Sequence, residues 1–125
     1  MKILIVEDSS VQRKVIITTL EKSGAKAEIL EAENGNQGIE ILGRHYKDIK
    51  LIICDWAMPE LSGIEFIEAV AKVPALAQIP IIMLSTEHEE EKKQEAYAKH
   101  PGLKGYIKKP FTADELQKAV HPILK

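Results

Sequence analysis

Polar side chains able to do chemistry stand where the apolar runs of this sequence stop. Glu7 and Asp8 follow ILIV, Asp55 follows LIIC, Ser85 follows IIML, and Lys109 follows YIK. Two like charges about 4 Å apart cost about 4 kcal/mol at an effective dielectric near 20, so carboxylates drawn together need a cation. Carboxylates, a backbone carbonyl and waters form a hard-oxygen site suited to Mg²⁺, which keeps several waters and commonly bridges to phosphate oxygens. An aspartate can also be a nucleophile that accepts a phosphoryl group as an acyl phosphate. Lys109 and Ser85 would give electrophilic help. One Mg²⁺ and one lysine balance Glu7, Asp8 and Asp55, so an arriving phosphoryl group meets little net repulsion. Zinc is disfavoured: Cys54 lies inside an apolar run, and His45, His88, His100 and His121 lack ligand spacing.

Singly, each residue has an ordinary reading. Asp8 can cap a helix, Asp55 can be a strand-end turn residue, Ser85 can close a local turn, and Lys109 can be a solvated surface lysine. Jointly those readings require unrelated accidents at several strand ends. What decides between them is whether the chain brings the residues together.

Five strand-length apolar runs, Lys2–Val6, Ala27–Glu31, Leu51–Cys54, Ile79–Leu84 and Lys104–Ile107, alternate with segments of helical spacing. Examples of that spacing are Val11, Val15, Ile16 and Leu20, and Ile64, Ile67 and Ala71. Capping boxes are predicted at Ser62/Glu65, Thr86/Glu89 and Thr112/Glu115, and stops at Gly24, Gly43, Pro74 and Pro101-Gly102. The first, third and fourth runs are apolar nearly throughout, as in strands covered by helices on both faces. The pattern predicts an α/β fold: a (βα)5 doubly wound, five-stranded parallel sheet with right-handed crossovers, flavodoxin-like. In the order 2-1-3-4-5 known for such sheets, the switch point lies between the first and third strands, and ligands bind at their carboxyl ends. Those ends carry Glu7-Asp8 and Asp55.

The chain of 125 residues is expected to form one domain, with 17 Lys and Arg against 19 Asp and Glu for a net charge of −2. That balance offers nothing to nucleic acid or an anionic membrane. The lone Cys54 and the short apolar start, ended by Glu7-Asp8, lead us to expect a reduced, cytoplasmic protein.

In the motifs ILIVEDSS, IICDWAMPELSG, IIMLSTE and GYIKKPFT, the chain resembles the receiver domain of two-component response regulators, in the single-domain form used in chemotaxis. The resemblance spans the chain as one receiver domain, 1–125, with no output domain. It implies that Asp55 is the phosphoacceptor, that Asp8 and Asp55 bind Mg²⁺ directly, that Ala57 adds a backbone carbonyl, and that Glu7 binds through water. It further implies that Ser85 turns toward the phosphoryl group, Lys109 pairs with it, Tyr106 swings inward as a switch, and the peptide before Pro110 is cis. A histidine kinase would be the phosphodonor. The target, a flagellar motor switch or a histidine phosphotransfer protein, would dock on the fourth helix, fifth strand and fifth helix. The protein would be a monomeric regulator that catalyses only its own phosphorylation and autodephosphorylation. Chemotaxis is the favoured pathway, with a phosphorelay shuttle as the alternative.

Some positions depart from the family pattern or vary within it. The run from Glu87 to Glu95, with its Glu89/Lys93 pair, reads as a solvated helix face whose apolar side is little more than Ala96, Tyr97 and Ala98. Ala57 and Glu87 stand at the variable positions that flank the path of hydrolytic water. Met58-Pro59 and Gly63 read as loop scaffold, and Trp56 as a partly exposed reporter beside the site. Two rivals are weaker. A haloacid dehalogenase-like phosphatase needs a second aspartate where Ala57 stands, and an FMN carrier would meet Glu7-Asp8 in its phosphate loop.

Overall fold

The computed structural model describes residues 1–58, 60–86 and 90–124. Its strands are β1 (Lys2–Val6), β2 (Glu28–Ala32), β3 (Ile49–Asp55), β4 (Ile81–Ser85) and β5 (Gly105–Lys108). The helices are α1 (Ser10–Lys22), α2 (Gly35–His45), α3 (Gly63–Ala71), α4 (Pro74–Ala77), α5 (Glu90–Lys99) and α6 (Ala113–Leu124). All strand pairs are parallel, in the order β2-β1-β3-β4-β5. This is the doubly wound sheet expected from the sequence.

The unbroken apolar runs are explained by a core on each side of the sheet. Successive side chains of a strand point to opposite faces. Leu4 and Val6, Ile52 and Cys54, and Ile81 and Met83 pack in the layer with Leu42, Phe66, Ile67, Val70 and Ala96 of α2, α3 and α5. Ile3 and Ile5, Leu51 and Ile53, and Ile82 and Leu84 pack with Ile16, Leu20, Leu116 and Val120 of α1 and α6. By the same alternation Glu7 and Asp55 fall on the α1/α6 side, and Cys54, Ser85 and Trp56 on the other. One sheet thus sorts the polar residues at its carboxyl edge between two helical layers.

Several sequence expectations need adjustment. The buried positions of α1 are Arg13, Ile16, Thr19 and Leu20, whereas Val11 and Val15 are exposed. Arg13 shares the inward face with Ile16 and Leu20, and Val11 and Val15 lie on the opposite face. Helix α2 runs through Gly43 to His45. Pro74 begins the short helix α4 rather than only ending α3, because proline suits the first position of a helix. The helix counted fourth from the sequence is therefore α5, and the fifth is α6. Asp55 and Ser85 are the last residues of their strands. Capping boxes form at Ser62/Glu65 and Thr112/Glu115. Glu87, His88 and Glu89, with the capping and ion-pair expectations placed on Glu89, lie outside the described residues, as does Pro59. Among the described residues, no helix is long and apolar enough to cross a membrane.

Candidate functional site

Backbone hydrogen bonds continue the sheet ladder one residue beyond the strand ends and fix the residues found there. Glu7 N–H donates to Ala32 O at 3.0 Å, Trp56 N–H to Leu84 O at 3.0 Å, and Lys109 N–H to Ser85 O at 2.7 Å. Asp55 is anchored from its other side as well. The N-terminus of α3 packs on the Asp55-Trp56 backbone, with Gly63 N–H donating to Trp56 O at 2.8 Å. A Cβ on Gly63 would lie 2.1 Å from Asp55 O, so only glycine fits this approach.

Within that frame Glu7, Asp8 and Asp55 present carboxylate oxygens within 4.8 Å of one another. Glu7 and Asp55 are buried, and Asp8 is exposed. Asp8 does not cap α1: Ser9 is the N-cap, its hydroxyl accepting from Gln12 N–H at 3.2 Å. That leaves the Asp8 carboxylate to the cluster. Lys109 reaches across from the end of β5, its Nζ lying 2.7 Å from Asp55 Oδ1 and 3.0 Å from Glu7 Oε1. The peptide between Lys109 and Pro110 is cis, as the family resemblance implied.

The electrostatics record an excess of negative charge. Burial, a hydrogen bond with Asp8 and the charge of Asp55 push Glu7 up to about 7, against the pull of Lys109. Burial works to lower Lys109, but its contacts with Asp55 and Glu7 prevail and raise it. The cluster binds one lysine and, at Glu7, a proton more tightly than an isolated carboxylate would. A hard divalent cation suits this donor set of carboxylate oxygens. The soft ligand nearby is withdrawn: the Cys54 Sγ lies in the α2–α5 core, donates to Asp55 O at 3.3 Å, and is pushed up by burial and then by the charges of Asp55 and Glu7.

Ser85 is fully buried at the end of β4. Ala57 is exposed, two residues beyond Asp55. Tyr106, half-buried on β5, packs in the α2–α5 layer edge-on to Trp56, with ring centroids 6.2 Å apart at 78°. Lys92 of α5 lies over Trp56, 6.0 Å from its centroid. Trp56 thus joins the segment after Asp55 to both β5 and α5.

Two contributors escaped the reading of the sequence. Arg13 donates from Nη1 to Glu7 O at 2.6 Å and from Nε to Glu31 Oε1 at 2.9 Å, clamping the end of β1. The signal for it was a charged residue three positions before Ile16 on the inward stripe. Gln12 accepts a hydrogen bond from Lys109 Nζ. Nothing in its position along the chain marks that contact.

Residues 3–121 match the family model of the response regulator receiver domain. The chain belongs to that family. The receiver is 37% identical over 124 residues to the chemotaxis protein CheY homolog of Campylobacter jejuni, covering 99% of this chain and 92% of that one. It superposes on the chemotaxis protein CheY4 of Vibrio cholerae with a TM-score of 0.81 at 36% identity, over 98% of each chain. The Mn²⁺-bound form of the response regulator Rcp1 gives a TM-score of 0.79 at 27% identity, over 98% of this chain and 90% of that one. The receiver is therefore a regulatory signalling domain of the CheY type.

Proposed function

We propose that this receiver takes a phosphoryl group on Asp55 from a histidine kinase and thereby changes its affinity for a partner protein in chemotaxis. The observation that carries the reading is Lys109 bridging Asp55 and Glu7 within a three-carboxylate cluster at the switch point of the sheet. The similarity to chemotaxis proteins supports the pathway.

A carboxylate oxygen of Asp55 attacks phosphorus while the bond from phosphorus to the donor atom breaks, and the donor leaves with the electron pair. Lys109 stays protonated and transfers one N–H from Asp55 to a phosphoryl oxygen. Ser85 directs its hydroxyl to another. Asp8 and Asp55, the Ala57 carbonyl and, through water, Glu7 would hold Mg²⁺, which when bound neutralises phosphoryl charge. The deprotonated Glu7 is the form that serves there. Tyr106 and Trp56 relay the change to the face formed by α5, β5 and α6, where a motor component or a phosphotransfer protein would dock.

Acetyl phosphate added with and without Mg²⁺ tests this by intact mass and Trp56 fluorescence. Wild type should gain one phosphoryl group only with Mg²⁺, and Asp55→Asn should gain none. Full modification of Asp55→Asn would sink the assignment. Pull-downs with beryllofluoride-treated and untreated protein then separate the two partner classes, and a lack of any state-dependent partner would refute the switch.

A further inference from the structure

Lys109 is held by a third oxygen outside the carboxylate cluster. Its ammonium has three N–H donors. Among the described residues these meet Asp55 Oδ1, Glu7 Oε1 and the side-chain Oε1 of Gln12. The three acceptors differ in kind. Two are carboxylates that the proposed chemistry claims for itself: Asp55 becomes an acyl phosphate, and Glu7 turns to the hydrated cation. The Gln12 oxygen is a neutral amide that takes no part in either event.

We propose that Gln12 is a positioning residue for phosphoryl transfer, anchoring Lys109 through its amide oxygen while Asp55 exchanges the lysine for phosphorus. The inference rests on the reading of Asp55 as phosphoacceptor. The backbone that carries this exposed side chain is firmly placed. Gln12 sits in the first turn of α1, where its backbone N–H donates to the N-cap oxygen of Ser9 at 3.2 Å. The adjacent Arg13 ties the same turn to the end of β1 through Glu7 O. Gln12, Thr86, Lys109 and Phe111 line one cleft of about 400 Å³ on this side of the site. A lysine ammonium on a flexible stem needs such a fixed point. As the bond from Asp55 to phosphorus forms and the bond from phosphorus to acetate breaks, acetate carries away the electron pair. Lys109 keeps its bond to Gln12 and swings a single N–H to the phosphoryl oxygen.

The test compares wild type, Gln12→Met and Gln12→Glu with acetyl phosphate at saturating Mg²⁺ and about 0.5 M salt, which screens the charge of glutamate from acetyl phosphate approaching through solvent and leaves its contact with Lys109 in place. Methionine keeps the length of the side chain and removes the acceptor; glutamate keeps the acceptor. Gln12→Met should be phosphorylated about three- to tenfold more slowly, the range one hydrogen bond spans, with Mg²⁺ affinity and urea midpoint unchanged. Gln12→Glu should recover most of that loss. Equal rates for wild type and Gln12→Met overturn the inference while leaving Asp55 as phosphoacceptor intact. A loss in Gln12→Met matched by weaker Mg²⁺ binding or a lower urea midpoint overturns it too, as does a Gln12→Glu rate below that of Gln12→Met. No Mg²⁺-dependent modification of wild type overturns both this inference and the reading on which it rests.

Discussion

Gly63→Ala and Gly43→Ala add the same methyl group to two helices, and the structure assigns them opposite signs. At Gly63 the new Cβ would sit 2.1 Å from Asp55 O and 2.8 Å from Trp56 Cα, both backbone atoms that cannot rotate away. To make room, α3 must lift from the chain that carries Asp55, and the 2.8 Å hydrogen bond from Gly63 N–H to Trp56 O must lengthen. Overpacking of this kind costs about 3 kcal/mol or more when the neighbours are rigid. At Gly43, inside α2, nothing lies within 4 Å of the added carbon. There alanine gains about 0.5–1 kcal/mol from helix propensity. With about 3–5 °C per kcal/mol for a domain of this size, Gly63→Ala should melt roughly 10 °C or more below wild type and Gly43→Ala a few degrees above it. Urea unfolding and thermal melts read both, and acetyl phosphate labelling reads the site. Gly63→Ala should label poorly even at temperatures where it is folded, since its strain falls on the backbone of Asp55, the proposed phosphoacceptor. A Gly63→Ala loss below about 1 kcal/mol, or a destabilised Gly43→Ala, would refute the close-approach reasoning.

Other outcomes follow from the same geometry. Glu7 is pushed up to about 7, so cation binding must expel its proton; Mg²⁺ affinity, followed by Trp56 fluorescence, should be about tenfold weaker at pH 6 than at pH 8, and Glu7→Gln should flatten that slope. His100 is buried, neither ring nitrogen has a partner among the described residues, and burial lowers its pKa below the ordinary 6.5. The unfolded chain then takes up the proton first, so stability present above pH 6.5 is lost as pH falls through the folded value. Urea midpoints in a Glu7→Gln background should show this loss, and His100→Leu should remove it. Arg13→Met deletes the charged hydrogen bond to Glu7 O at 2.6 Å and should cost about 2 kcal/mol by urea unfolding. An unchanged midpoint there would mean that the clamp on β1 contributes nothing.

The sequence by itself determined the parallel sheet, because ILIV, LIIC and IIML have no polar face to give to solvent and require a helical layer on each side. It also determined which residue types stand at the ends of those three runs, since each stops at a charge or a hydroxyl. Only the tertiary structure decided their relations. Asp8 read by itself could cap the first helix, and it is the placement of Ser9 against Gln12 N–H that frees Asp8 for the cluster. The spacing of Val11 and Val15 promised a buried stripe, yet at 100° per residue both lie opposite the face that Arg13, Ile16 and Leu20 turn inward, and they are exposed. Gln12 and Lys109 are 97 residues apart, and no local preference links them. A hydrogen bond between side chains so distant in the chain depends on the register of β5 against β4 and on the angle of α1. Packing of the whole sheet sets both quantities, which propensity and period, summed over short windows, do not contain.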